Sequence, residues 1–138
     1  MNALEAPKFS KDPPVKEVLN TEIGKIYFYD HIVVMEAKEN IVLSIKTGIF
    51  ILLKGLKIVG TRPIVYISNR VNAYSVDPND YKYLELIPNL KGIAIVSYNP
   101  IAHETAKLEK QFFKKPFKTF DTLDAAKEWA LEMTYNKT

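Results

Sequence analysis

The chain has 138 residues, of which 47% are hydrophobic and 25% are charged, and its formal net charge is +3. This size and composition predict one globular domain with its own hydrophobic core. The absence of cysteine excludes disulfides and thiolate metal sites, and the small net charge does not require a nucleic-acid partner.

The first residues differ in composition from the remainder of the chain. Residues 1–15 contain Pro7, Pro13 and Pro14 among scattered charges and show no hydrophobic periodicity. This pattern predicts a flexible N-terminal arm over residues 1–15 and a single domain over residues 16–138. The chain shows neither the apolar stretch of a signal peptide nor an apolar run of the roughly 18 residues that span a bilayer, so we expect a cytoplasmic protein.

Two short apolar runs follow the arm. KIYFYD and HIVVMEA meet at Asp30 and His31, and this spacing predicts an antiparallel hairpin with His31 in the turn. After Ser44 the apolar residues recur with helical spacing until Gly60, which predicts the first helix. The repeating positions are Ile45, Ile49, Leu52, Leu53 and Leu56.

This first helix is more hydrophobic than one buried face requires. Phe50 and Ile51 lie outside the main apolar stripe, and Gly48 and Gly55 would permit close approach by another backbone. A wide apolar surface is typical of an interface with a second copy of the chain, a protein partner or a lipid. The alternative is that the N-terminal arm or the last helix covers it.

The second half of the chain alternates strands and helices. IVYIS and LKGIAIVS have the continuous apolar character of central parallel strands, and each precedes a helix start of the Asx-Pro type, at Asp77-Pro78 and Asn99-Pro100. FKTF is predicted as a short edge strand. The helix after Asn99 is predicted to bury Ile101, Leu108 and Phe112, and the last helix to bury Leu123, Ala126, Ala130 and Met133.

The predicted order is therefore β-β-α-β-α-β-α-β-α, an α/β fold with a single mixed β-sheet and flanking helices. This order, together with YISNRVNAYSVDPNDY and FFKKPFKTFDTLDAAKEWA, resembles the SpoIIAA-like, STAS-related bacterial proteins over about Gly24 to Met133. The resemblance implies a fold related to anti-sigma-factor antagonists and to lipid-binding CRAL-TRIO-type domains. The antagonists carry a phosphorylatable serine in a D-S-[ST]-G motif. The matching region here has Ser68 and Ser75 without that motif, which argues against a phosphoserine switch.

Arg70 is the main candidate binding residue. It follows a predicted central strand, and ligands of open α/β sheets bind beyond the carboxyl ends of the strands. One hypothesis is an ion pair with Asp77 or Glu85 that orders the loop. The other is contact with an anion or an acidic partner. In that case the neighbouring polar side chains would share the site, namely Asn69, Asn72, Tyr74 and Ser75.

Other motifs give little support for catalysis or metal binding. His103-Glu104 begins an H-E-x-x-H pattern, but Lys107 occupies the second histidine position, so we predict no metal site and no cofactor. No nucleophile or phosphate-loop motif is present. FFKKPFK has the composition of a nucleic-acid or anionic-membrane contact, but lysines at a helix end and phenylalanines in the core explain it better.

These observations lead to two hypotheses about function. The first is a non-catalytic, STAS-like binding or regulatory module that contacts a protein partner or a second copy through loop 68–77 and helix 44–57, with Phe50 and Ile51 at the interface. The second is a carrier of a lipid or other small apolar ligand between helix 44–57 and the sheet. Peripheral membrane contact is compatible with both. Nucleic acid is disfavoured as a partner.

Overall fold

The computed structural model describes residues 15–72 and 74–135. The strands are β1 (Glu17–Thr21), β2 (Gly24–Phe28), β3 (Ile32–Ala37), β4 (Val42–Leu43), β5 (Ile64–Arg70), β6 (Ser75–Val76), β7 (Leu90–Ser97) and β8 (Phe117–Phe120). The helices are α1 (Ile45–Val59), α2 (Tyr81–Leu84), α3 (Pro100–Glu109) and α4 (Leu123–Thr134), with short 3-10 turns at Pro78–Asp80 and Lys110–Phe112.

One mixed sheet forms the centre of the fold, in the order β1-β2-β3-β5-β7-β8. The first three strands are antiparallel, and the pairs from β3 to β8 are parallel. Helices α1, α2 and α3 pack on one face of the sheet, and α4 packs on the other. The predicted α/β class, with one mixed sheet between helices, is confirmed.

Most local predictions are also confirmed. The β2–β3 hairpin turns at Asp30 and His31, where the His31 ring nitrogen Nδ1 lies 2.8 Å from the Pro63 carbonyl oxygen. Ser44 caps α1, and its hydroxyl accepts a hydrogen bond from the Thr47 backbone N–H. Asn99 caps α3 in the same way, as the Asx-Pro pattern predicts.

Three strands were not predicted. β1 is an edge strand with both polar and apolar residues, and it pairs only with β2 among the described residues, so its sequence carries a weak pattern. β4 and β6 have two residues each and form a separate parallel pair beside the main sheet. Strands this short have no periodicity to detect. The predicted N-terminal arm lies outside the described residues, apart from Val15.

The predicted buried face of α3 is wrong. Ile101, Leu108 and Phe112 are 80%, 61% and 44% exposed, and the helix instead buries Ala106 and Glu109. The small side chain of Ala106 lets α3 lie close to the sheet. The buried Glu109 is stabilised by an ion pair with Arg70 of β5. Hydrophobic periodicity cannot identify a face that consists of a small residue and a paired charge.

Candidate functional site

A cavity of about 210 Å³ lies between α1 and the sheet. Helices α3 and α4 pack closely on the central strands, whereas α1 lies farther from them. The walls are apolar side chains from the sheet and from the inner face of α1, including Ile26, Phe28, Met35, Ile64, Ile51, Leu52, Leu56 and Val59. The gap between α1 and the sheet is therefore a partly open apolar pocket, and several of its lining residues also belong to the hydrophobic core.

Most polar groups of this cavity come from the carboxyl end of β5 and from the segment that follows β6. Ser68 and Arg70 come from the carboxyl end of β5, and Asp77, Asp80 and Tyr81 follow β6. Asp80 also accepts a hydrogen bond of 2.8 Å from the Ile45 backbone N–H, which ties this end of the cavity to the first turn of α1. A bound molecule would meet apolar side chains along most of its length and polar groups at one end.

Arg70 forms a buried ion pair with Glu109 of α3. Two nitrogens of the guanidinium donate to the two carboxylate oxygens at 2.6 and 2.7 Å, and the two side chains are only 11% and 10% exposed. Tyr81 donates to the same carboxylate at 2.5 Å. Burial alone would lower the pKa of Arg70, but the hydrogen bonds to Glu109 raise it above its usual value. The guanidinium is therefore charged and already paired.

Three tyrosines surround this ion pair. Tyr74 lies 2.7 Å from the Ser68 hydroxyl, and the Arg70 guanidinium sits 5.7 Å from the centre of its ring. Burial raises the pKa of Tyr66, Tyr74 and Tyr81 above the usual value for a phenol. At neutral pH these hydroxyls keep their protons and act as hydrogen-bonding groups.

The predicted loop residues do not form one open surface. The proposed partners of Arg70, Asp77 and Glu85, are wrong, because the arginine pairs with Glu109. Asn72 donates to the Ala37 carbonyl oxygen at 3.1 Å, whereas Ser75 lies exposed in β6. No sequence pattern marks Glu109 as the partner, since a glutamate in a helix is normally assigned to the solvent face.

Asn69 lies on the other face of the sheet from Ser68 and Arg70, because successive side chains of a strand point to opposite faces. Its amide nitrogen donates to Glu36 at 2.7 Å, and its amide oxygen accepts from the Tyr98 hydroxyl at 2.6 Å. Burial raises the pKa of Glu36, although Asn69 and the nearby Lys25 oppose this effect. These residues form a polar chain separate from the cavity.

The raised pKa of Glu36 predicts a pH-dependent effect of Glu36→Gln. The folded state disfavours the ionised carboxylate, and this penalty is present above the raised pKa and disappears below the usual value of 4.5. Glutamine can still accept the hydrogen bond from Asn69. The variant should therefore be more stable than wild type near pH 7, and the difference should shrink as the pH falls through the raised pKa of Glu36 and vanish below 4.5.

Urea unfolding at several pH values measures this difference. Glu132→Gln, at an exposed position of α4, is the control and should change the free energy of unfolding by no more than about 0.5 kcal/mol. A Glu36→Gln variant that is less stable than wild type at neutral pH would contradict the expected sign.

The two predicted interface residues of α1 point in different directions. Phe50 is 79% exposed on the outer face of the helix, whereas Ile51 lines the cavity. Gly48 and Gly55 also line the cavity, and a Cβ added at these positions would meet the side chains of Ile23 and Phe28 first. The predicted approach of another backbone to these glycines is wrong.

The remaining predicted motifs have structural roles. His103 is partly buried, with Nδ1 3.8 Å from a carboxylate oxygen of Asp121. Within residues 15–72 and 74–135 no three side chains of the metal-binding types are grouped to hold an ion. In FFKKPFK, Phe117 is buried, and Lys115 donates to the backbone carbonyl oxygens of Ile87 and Leu90. None of the helices in the described part of the chain is long and apolar enough to cross a membrane.

Comparison with known proteins identifies the fold. The chain is similar to the crystal structure of an uncharacterised protein of the DUF3478 family with a SpoIIAA-like fold, from Shewanella loihica PV-4. The two share 15% sequence identity with a TM-score of 0.51, over 83% of this chain and 90% of the other. No protein-family model matches the sequence, and no curated protein matches it. The SpoIIAA-like fold indicated by the sequence is thereby confirmed.

Proposed function

We propose that this protein is a non-catalytic carrier that binds a small apolar or amphiphilic molecule between α1 and the sheet. The observation that supports the proposal is the cavity of about 210 Å³, whose walls are mostly apolar and whose polar groups come mainly from the carboxyl end of β5 and the segment after β6. Ligand sites commonly combine such apolar walls with a few convergent polar groups.

The size of the cavity limits the ligand. A dry, apolar protein cavity of roughly 150 Å³ admits a molecule as large as benzene. The cavity here is larger, which fits one ring system or a short alkyl chain but not a phospholipid with two acyl chains. The proposed ligand is therefore a small single-chain or single-ring compound.

The charges at the polar end of the cavity limit the kind of head group that the proposed ligand can have. Arg70 is neutralised by Glu109, while Asp77 and Asp80 both line the cavity. Carboxylates accept hydrogen bonds and repel other carboxylates. An uncharged head group that donates a hydrogen bond, such as an alcohol, fits this end better than a fatty-acid carboxylate does.

Native mass spectrometry of the purified protein, followed by displacement of the neutral fluorescent probe 1-naphthylamine, which has one fused ring system, tests the proposal. We expect a bound small molecule or saturable probe binding, and stronger displacement by 1-octanol than by octanoate. Gly55→Leu, which fills the space beside the Phe28 ring, should weaken probe binding by about tenfold or more. Gly48→Leu provides a second occluding variant beside Ile23.

Ala125→Leu is the matched control, since it adds the same side chain at an exposed position of α4 on the opposite face of the sheet. It should bind the probe as wild type does. Absence of saturable binding to the wild-type protein would contradict the proposal. So would unchanged binding by folded Gly55→Leu and Gly48→Leu variants.

The hypothesis of a protein-binding module through loop 68–77 has less support from the geometry. Arg70 is engaged by Glu109, and Asn69 and Asn72 are engaged within the domain. Their polar groups are therefore already satisfied without a partner. Binding of a protein partner through this loop stays a prediction.

A further inference from the structure

The outer face of α1 combines exposed apolar side chains with positive charge. Phe50 and Leu53 are 79% and 52% exposed, and Lys46, Lys54 and Lys57 are exposed on the same side of the helix. The helix contains no acidic residue. The inner face of α1 lines the cavity, and packing among residues 15–72 and 74–135 leaves this outer face exposed.

The opposite side of the molecule has the opposite charge. Between Asp121 and Thr134 the sequence has four carboxylates and one lysine. This segment includes α4, which packs on the other face of the sheet from α1. The domain therefore has a basic helix on one side and an acidic helix on the other, and an anionic surface would orient it with α1 in contact.

We propose that α1 docks on an anionic lipid membrane, with Phe50 and Leu53 inserted among the lipid head groups and Lys46, Lys54 and Lys57 against the phosphates. Aromatic and leucine side chains beside lysines are the composition of helices that lie in a membrane interface. Lysine also has a long apolar stem, which lets its ammonium stay at the surface while the neighbouring side chains insert. The charge complementarity favours an anionic bilayer over an uncharged one.

This inference rests on the proposed function in one respect, since α1 forms one wall of the cavity. Docking through α1 would bring that cavity next to a bilayer, which concentrates small amphiphilic molecules. The cavity would then exchange its ligand with the membrane, and the acidic side with α4 would face the solvent.

Co-sedimentation with lipid vesicles tests the docking. One set of vesicles contains phosphatidylcholine alone, and the other contains phosphatidylcholine with phosphatidylglycerol. We expect the wild-type protein to bind the anionic vesicles at least about tenfold more tightly, with binding that weakens as salt is added. The variant Phe50→Ser with Leu53→Ser, and the variant with all three lysines replaced by glutamine, should each lose about tenfold or more of this binding.

The control variant carries Leu131→Ser and Tyr135→Ser, which remove two exposed apolar side chains from the α4 side. It should bind anionic vesicles as wild type does. Equal binding of wild type to both kinds of vesicle, or unchanged binding by the Phe50 and Leu53 variant, would overturn the proposal. A soluble dimer that dissociates when Phe50 and Leu53 are replaced would also overturn it, because the same face would then be a protein interface.

Probe binding in buffer without vesicles separates this inference from the proposed function. The Phe50 and Leu53 variant should retain probe binding, since neither side chain lines the cavity. Probe binding without vesicle binding would reject the membrane surface and leave the carrier function standing. Vesicle binding without probe binding would reject the carrier function and support the docking surface alone.

Discussion

Glu109→Ala should destabilise the protein by about 3–5 kcal/mol, because it leaves the Arg70 guanidinium buried without its counter-charge. It also removes the acceptor of the Tyr81 hydroxyl. A domain of this size has a total stability of roughly 5–15 kcal/mol, so the loss is a large part of it. Urea unfolding, followed by circular dichroism and by the fluorescence of the single tryptophan, measures the change.

Two further variants test whether the loss of stability comes from the broken ion pair or from any substitution in α3. Glu104→Ala removes an exposed carboxylate that lies 3.3 Å from Lys107, and it should cost no more than about 1 kcal/mol. Replacing both Arg70 and Glu109 with methionine should recover much of the lost stability, because no charge is then buried alone. A cost below about 1 kcal/mol for Glu109→Ala would show that the pair does not hold β5 and α3 together.

Gly92→Ala should destabilise the fold by about 1–3 kcal/mol through overpacking. A Cβ at this position would lie 2.9 Å from the Trp129 ring and 3.1 Å from the Pro116 backbone oxygen. Trp129 packs against Phe120 at a centroid separation of 5.6 Å, and the Pro116 carbonyl oxygen accepts a hydrogen bond of 2.9 Å from the Ile93 backbone N–H. Urea unfolding measures this loss of stability. The fluorescence emission of Trp129 should also change, because the added methyl group disturbs the contacts of its ring.

Gly55→Ala is the matched glycine substitution. A Cβ at this position would meet the Phe28 ring at 3.6 Å, an ordinary contact, and alanine is the better helix former in the interior of α1. We expect a gain of about 0.5–1 kcal/mol. A loss of stability in Gly55→Ala would mean that α1 lies closer to Phe28 than described. No loss of stability in Gly92→Ala would mean that Trp129 lies farther from β7 than described.

The local structure was largely predictable because its causes lie within a few residues. The predicted Asp77 and Asn99 caps depend on a side chain that bonds to the backbone two or three positions away. β7 occupies the same eight residues as the mainly apolar run LKGIAIVS, because a strand covered on both faces needs apolar residues at most positions.

The candidate site was predictable only in part. The carrier hypothesis placed a ligand between helix 44–57 and the sheet, and a cavity lies there. The binding loop was drawn from five polar residues close together in the chain, but strand alternation separates Asn69 from Arg70, and Arg70 pairs with a residue 39 positions away. The spacing of residues within one segment cannot predict a pair whose members are so far apart in the sequence.

Sequence patterns were sufficient for the class of the fold, the order of most of its strands and helices, and the residues where α1 and α3 begin, whereas Asp77-Pro78 starts a 3-10 turn and α2 begins at Tyr81. These properties follow from periodicity and capping, which act between near neighbours. Three features became visible only in the folded chain: α3 exposes Ile101 and Leu108, α1 stands off the sheet, and Glu109 neutralises Arg70. Each of these depends on which distant residues meet, and therefore on how the helices pack on the sheet.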